Sequence, residues 1–149
     1  ANIICEAEAN AAEYGHYSTR PAEAPHDDAL AITRAANELA HDRDVAAIAV
    51  FTQSGKTALL MSKSRPHVPI FAFTPEERTY QRMGLYWGVV PFLVPFASTV
   101  EAMISSVEAA LLSSTSIRSG DQVVVISGFP VGGMRPPNFT LLYTLGEWT

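Results

Sequence analysis

The sequence has little cysteine, little lysine and no long apolar run. Its single cysteine, Cys5, cannot form an internal disulfide, which favours a reducing compartment. Two lysines and eight scattered arginines give a net charge of −5, without the basic stripe that follows a nucleic-acid backbone. The longest apolar segments fall short of the ~20 residues that span a bilayer. We therefore expect neither nucleic acid nor a membrane as a partner, and a soluble chain in the cytoplasm or in an organelle.

The composition that remains is that of a globular domain. Apolar residues make up 48% of the 149 residues, and charged residues only 17%. A domain near this length buries roughly two thirds of the surface that its unfolded chain would expose. A single domain with a substantial core is expected.

The pattern along most of the chain alternates between helix and strand. A helix that Asp27 or Asp28 can cap is expected to end near residue 41. Apolar runs typical of buried strands follow, and Thr74 is expected to cap the helix after the second strand. The predicted strands are residues 45–51, 69–73, 87–94, 122–127 and 139–145, and the predicted helices between them are residues 55–64, the segment after residue 74, and a helix that Ser98 or Thr99 caps and that runs to about residue 112.

This alternation predicts an α/β three-layer sandwich with a mostly parallel five-stranded sheet. The expected strand order is 3-2-1-4-5, with the last strand antiparallel because a connection of about ten residues without a helix joins it to the fourth. Pro91 places the third strand at or near an edge, and Trp87 is expected to pack in the core. The order puts a topological switch point between the first and fourth strands, where ligands of open α/β sheets bind.

The loop after the first strand, residues 52–57 and here called the first loop, contains the letters SGKT. A phosphate loop of the form G-x-x-x-x-G-K-[ST] would require glycine at position 50, where the chain has Val50, so a nucleoside triphosphatase is excluded. Two interpretations stay open: an anion site at a helix N-terminus, or a simple helix cap with a solvent-facing lysine. The candidate anion-binding residues are Thr52, Gln53, Ser54, Gly55, Lys56 and Thr57.

The loop after the fourth strand, residues 128–137 and here called the second loop, has three glycines and three prolines with one cation. Such a loop can be a surface turn or a cover over a ligand, and its place opposite the first loop favours the cover. Its candidate residues are Gly128, Phe129, Pro130, Val131, Gly132, Gly133 and Arg135. The sequence offers no paired carboxylates, nucleophile elbow or metal-binding cluster, so no catalytic or metal-ligating residue is predicted.

Several segments together resemble the C-terminal domain of pyruvate kinase. The segments are residues 5–8 (CEAE), 28–39, 47–52 (AIAVFT), 54–58 (SGKTA), 64–66 (SRP), 69–74 (PIFAFT) and 120–128 (GDQVVVISG). Each is a weak motif, but they occur in the right order over nearly the whole chain. The resemblance implies that residues 1–15 are the tail of a helix of the catalytic barrel, residues 16–27 a linker, and residues 28–149 the regulatory domain.

The resemblance also implies a function. Pyruvate kinases transfer phosphate from phosphoenolpyruvate to ADP, and their catalytic residues and their magnesium and potassium ligands lie in the barrel, so this chain alone is expected to be inactive and to need no cofactor. The implied partners are that barrel, a phosphorylated effector held between the two loops, and further subunits of a tetramer. The alternative is a purely structural oligomerisation domain that binds no effector.

Two positions depart from the family pattern. Members activated by fructose 1,6-bisphosphate hold its second phosphate with a tryptophan and an arginine, and an ungapped count places Phe96 and Met103 there. Losing that arginine removes a charge-assisted contact worth ~1.5 to 3 kcal/mol, which favours a monophosphate such as ribose 5-phosphate, glucose 6-phosphate or AMP. Gln53 is neutral at a position where some members carry a cation.

Overall fold

The computed structural model describes residues 27–133 and 135–147. The expected barrel-helix tail (residues 1–15) and nearly all of the expected linker (residues 16–27) lie outside the described residues. The elements in chain order are α1 Asp28–Arg43, β1 Ala47–Phe51, α2 Lys56–Ser64, β2 Ile70–Thr74, α3 Glu77–Met83, β3 Val89–Leu93, α4 Val100–Ser114, β4 Gln122–Ser127 and β5 Phe139–Thr144.

The five strands form one sheet in the order β3-β2-β1-β4-β5, which confirms the predicted topology. β1 pairs in parallel with both β2 and β4, while β4 and β5 are antiparallel. β3 lies at an edge, and Pro91, which has no N–H to donate, is tolerated there. The strand order therefore reverses direction between β1 and β4, which confirms the predicted topological switch point.

The central strands are buried on both faces, and this explains their continuous apolar sequences. All five residues of β1 and all five of β2 are buried. One face of the sheet packs against α1, α2 and α3 through small and flexible residues such as Ala36, Ala58 and Met61. The other face packs against α4 through Met103, Ile104 and neighbouring residues. The three-layer arrangement thus removes both faces of these strands from water.

Side-chain caps mark two of the four described helix starts. The Asp27 carboxylate accepts a hydrogen bond from the Leu30 amide at 3.1 Å, and the Thr99 hydroxyl accepts one from the Ala102 amide at 3.1 Å. Thr74 behaves differently from the prediction, because it is the last residue of β2 and its hydroxyl accepts from the Glu76 amide in the turn. The N-cap of α3 is Glu76, which makes no side-chain capping bond.

The expectation that Trp87 packs in the core is wrong. Trp87 is 53% exposed, since β3 begins only at Val89 and the preceding residues form a turn with Gly88 at φ 71°. The guanidinium carbon of Arg65 lies 4.7 Å from the centroid of the Trp87 ring, a cation–π contact at the rim of the sheet. None of the helices among the described residues is long and apolar enough to cross a bilayer.

A buried carboxylate links α4 to the last strand. Glu108 is only 5% exposed, and its carboxylate accepts hydrogen bonds from the Tyr143 hydroxyl at 3.3 Å and from the Gly146 amide. Tyr143 itself is 2% exposed. A buried carboxylate is costly without hydrogen-bond donors, and these two donors satisfy it. Glu108 therefore holds α4 against the end of β5 through hydrogen bonds.

We predict that Glu108→Ala lowers the free energy of unfolding by about 2–4 kcal/mol, since hydrogen bonds to a charged group contribute ~1.5–3 kcal/mol each and part of that is offset by relieved desolvation. Urea denaturation followed by circular dichroism measures the loss. The matched control is Glu101→Ala in the exposed first turn of the same helix, where we expect less than about 1 kcal/mol. Equal losses in the two variants would show that the hydrogen bonds of Glu108 do not stabilise the contact between α4 and the end of β5.

Candidate functional site

A cavity of about 1060 Å³ lies at the switch point, where the loops after β1 and β4 diverge. It is the place that the strand order predicted for a ligand. Its lining residues are Asp27, Asp28, Ala29, Phe51, Thr52, Gln53, Ser54, Lys56, Thr57, Leu59, Leu60, Arg82, Ser127, Gly128, Gly132, Gly133, Arg135, Pro136, Pro137 and Asn138.

Both predicted loops contribute to this cavity, although not with every residue. Five of the six candidates in the first loop line it, whereas Gly55 does not, and a Cβ added there would meet Thr79, Met83 and Tyr86. From the second loop Gly128, Gly132, Gly133 and Arg135 line it. The other three candidates do not: Val131 is buried in the core, while Phe129 and Pro130 face solvent.

The first loop is held in shape by its own side chains. The Thr52 hydroxyl accepts from the Gly55 amide at 2.9 Å, and the Ser54 hydroxyl accepts from the Lys56 amide at 3.3 Å. Gly55, the N-cap of α2, has φ 86°, a left-handed conformation that side chains disfavour. Two of the backbone amides expected to hold an anion therefore already have acceptors. A ligand must use other donors of the loop.

Thr57 is the clearest of these donors. The residue is 5% exposed and lines the cavity, and its hydroxyl has no hydrogen-bond partner among the described residues. No buried side-chain nitrogen or oxygen of the described residues lacks a partner, so the Thr57 hydroxyl must remain accessible from the cavity. The amides of Thr57 and Ala58, in the first turn of α2, have no carbonyl one turn earlier in the helix to bond to.

Helix α3 supports the first loop from outside, which the sequence did not predict. Arg82 lines the cavity, and its Nη1 donates to the Ser54 carbonyl at 3.0 Å. The Thr79 hydroxyl donates to the Gln53 carbonyl at 2.6 Å. Arg82 lies 28 residues from Ser54, and no short motif marks such a contact. The predicted strand order places β2 beside β1, and α3 follows β2 along the chain. That adjacency is the one sequence signal that could have suggested the approach of α3 to this loop.

The second loop is closed at its base and tied to the first. The Asn138 side chain accepts from the Phe129 amide at 2.7 Å and donates to the Phe129 carbonyl at 2.8 Å. A Cβ on Gly128 would come within 2.6 Å of the Arg135 carbonyl oxygen, so only glycine allows the loop to fold back this tightly. The Gln53 Nε2 donates to the Gly132 carbonyl at 3.1 Å, which joins the two loops directly.

The charges around the cavity have two signs. Lys56, Arg82 and Arg135 supply cations, and Asp27 and Asp28 at the start of α1 supply carboxylates. The two aspartates were predicted only as helix caps, because nothing in their spacing shows that α1 begins beside the first loop. Among the described residues no group of three histidine, cysteine, aspartate or glutamate side chains is placed to hold a metal ion. The arrangement suits a ligand that carries an anionic group and hydrogen-bond donors.

Comparisons with known proteins point to one family. A family model described as pyruvate kinase, alpha/beta domain, matches residues 30–140. The pyruvate kinase of Agrobacterium vitis is 38% identical over 105 residues, which cover 70% of this chain and 22% of that protein. The pyruvate kinase of Corynebacterium glutamicum is 33% identical over 118 residues, 79% of this chain and 25% of that protein, and the one of Mycobacterium tuberculosis is 30% identical over 116 residues, 78% of this chain and 25% of that protein. The chain thus spans a quarter or less of the length of these relatives. The family model matches more than half of the chain, which confirms the resemblance seen in the sequence. The chain therefore belongs to the pyruvate kinase alpha/beta domain family.

Proposed function

We propose that this chain is the regulatory domain of a pyruvate kinase, the enzyme that transfers phosphate from phosphoenolpyruvate to ADP, and that its cavity binds the phosphate of a phosphorylated effector. One observation carries the proposal: the nearly buried Thr57 hydroxyl, without an intramolecular partner among the described residues, opens into a cavity that Lys56 and Arg82 also line. Membership of the pyruvate kinase alpha/beta domain family supports the proposal that the chain is part of a pyruvate kinase. The cavity supports the proposal that this domain binds an effector.

Magnitudes indicate which groups must hold the phosphate. The dipole of α2 contributes only ~0.3 to 1 kcal/mol, whereas each hydrogen bond to a charged group contributes ~1.5 to 3 kcal/mol. Three such bonds amount to about 5–9 kcal/mol before the cost of association, so they outweigh the dipole several-fold. Thr57, Lys56 and the first-turn amides of α2 supply that number without disturbing the bonds of Thr52 and Ser54 that shape the loop.

The chemistry of the parent enzyme belongs to other parts of it. The family resemblance implies that the catalytic residues and the magnesium and potassium ligands lie in a catalytic barrel, so we assign no catalytic step to this chain. The barrel and the other subunits of a tetramer are proposed as partners. A bound effector would act on them by changing the contacts of the two loops.

We predict that phosphate monoesters raise the melting temperature of the chain. A ligand at about 100 times its dissociation constant adds about 2.7 kcal/mol, which for this size corresponds to a rise of about 5–10 °C. Ser54→Ala combined with Lys56→Ala should abolish the rise, because the pair removes a cation from the cavity and the hydroxyl that shapes the first loop. Lys63→Ala, at the exposed C-terminal end of the same helix, is the control and should keep it. If a panel of sugar phosphates at millimolar concentration gives no shift in the unmodified chain, the proposal fails.

A second prediction isolates Thr57. Thr57→Val keeps the shape and removes the hydroxyl, and we expect about a tenfold or greater loss of affinity for glucose 6-phosphate in calorimetry, with little change in stability. Thr33→Val is the matched control: the Thr33 hydroxyl donates to the Ala29 carbonyl at 2.7 Å inside α1, so this variant should change stability more than affinity. Unchanged affinity in Thr57→Val would remove Thr57 from the binding site.

A structural role through β5 is a second candidate. β5 is an edge strand with β4 as its single neighbour in the described sheet, so its outer backbone groups can pair with a strand of another subunit. Sedimentation velocity at high protein concentration tests this, with self-association as the expected result. A strictly monomeric chain would count against subunit contacts made by this domain alone.

A further inference from the structure

We propose that Asn37, His41 and His67 form a binding site for a divalent transition-metal ion of the kind that imidazole prefers, such as Ni²⁺, Cu²⁺ or Zn²⁺. These residues line a small cavity of about 10 Å³ near the C-terminal end of α1, which is roughly the room that one water molecule or small ion needs. The site is independent of the proposed phosphate site. The phosphate cavity lies at the start of α1, about 20 Å away along a helix that rises about 1.5 Å per residue.

The two histidine rings already lie next to each other at this cavity. The centroids of the His41 and His67 rings are 4.6 Å apart, and the ring planes are inclined by 28°. Two imidazoles that bind one metal ion through nitrogen, at about 2.0–2.1 Å each, have centroids about 4.5–5.2 Å apart. The observed separation is therefore that of a ligand pair. Both side chains are exposed, so they have room to turn their nitrogens toward a common point.

The atoms that would bind the metal are available. Apart from the ring contact between the two histidines, the side chains of His41, His67 and Asn37 have no partner among the described residues. Asn37 precedes His41 by four residues on α1, so its amide oxygen lies on the same face of the helix. Within the described ranges no three histidine, cysteine, aspartate or glutamate side chains gather around a metal position, and the third ligand here is an amide.

The segment that carries His67, between α2 and β2, is restrained on both sides. Pro66 and Pro69 flank it closely and limit its backbone freedom. Pro66 is buried, and the Pro69 carbonyl accepts a hydrogen bond from the Ile48 amide at 3.0 Å. A ligand residue on a restrained backbone loses less conformational entropy when the metal binds.

The electrostatics at this end of α1 favour a cation. The C-terminus of a helix carries a partial negative charge. Asp42 and Asp44 follow His41 and outnumber the one cation between them, Arg43. The guanidinium of Arg65 lies over the Trp87 ring, with its central carbon 4.7 Å from the ring centroid. A divalent cation at the two histidines therefore has more attraction than repulsion from its charged neighbours.

The test is a calorimetric titration with NiCl₂ on the 149-residue chain without a polyhistidine tag, and on His41→Gln and His67→Gln. We expect at least about tenfold weaker binding in each variant, because a single imidazole loses the advantage of two ligands held together. The matched control His16→Gln/His26→Gln replaces the other two histidines of the sequence and should keep the affinity. Mg²⁺, which prefers oxygen ligands, should not bind.

Two further measurements separate metal binding from a structural effect. Electron paramagnetic resonance of the chain with Cu²⁺ should show coupling to the nitrogens of two imidazoles, and this coupling should be lost in His67→Gln. Circular dichroism should give the same spectrum for all variants, since both histidines are exposed.

Three results would contradict the inference. In the first, the unmodified chain binds neither Ni²⁺ nor Cu²⁺ at millimolar concentration. In the second, His16→Gln/His26→Gln loses as much affinity as His41→Gln, which would place the metal elsewhere in the chain. In the third, Asn37→Ala binds as tightly as the unmodified chain, which would remove the amide from the proposed set of ligands. The phosphate site is unaffected by each of these results, because the two sites share no residue.

Discussion

The parallel pairing of β1 with β4 is the contact on which the site depends. Four residue pairs, from Ala47 with Val123 to Val50 with Ile126, align these two strands so that both end at the same edge of the sheet. The first loop leads from β1 into α2 and on toward β2, whereas the second loop leads from β4 to β5, so the two loops part there. The gap between the loops is the cavity, and it exists because the chain continues from β1 toward β2 on one side and from β4 to the antiparallel β5 on the other.

The loop at the end of β1 shows how a short segment can be rigid and still offer donors. In a long phosphate loop the backbone wraps the anion, and the ligand itself satisfies the amides. Here Thr52 and Ser54 satisfy the amides of Gly55 and Lys56, and Arg82 and Thr79 fix the carbonyls of Ser54 and Gln53. The loop is therefore ordered by its own contacts, and a ligand bound there would lose little binding free energy to ordering it.

How much of this could be predicted from sequence depends on the range of the interaction. Strand order and the position of the cavity follow from apolar runs and connection lengths, which are local signals, and β4 matches its predicted bounds at residues 122–127. Trp87 was misplaced because a hydrophobic residue beside a strand reads as core, whereas Gly88 turns the chain before β3 begins. Arg82 and the two aspartates of α1 could not be assigned to the cavity from sequence. The packing of α1 and α3 brings them there, and no local sequence pattern indicates that packing.

Gln53 joins the two loops through hydrogen bonds at both its side chain and its backbone. Its amide nitrogen donates to the Gly132 carbonyl, and its backbone carbonyl accepts from Thr79, so the residue is fixed at both ends as a bridge from α3 through the first loop to the second. A cationic side chain at this position could bind an anion. The neutral Gln53 amide instead donates to the Gly132 carbonyl, and breaking that hydrogen bond to reach an anion would be unfavourable. In the proposed function the phosphate must then be held by Thr57, Lys56 and the first turn of α2, and the second loop would sense its arrival through a contact that the phosphate does not itself occupy.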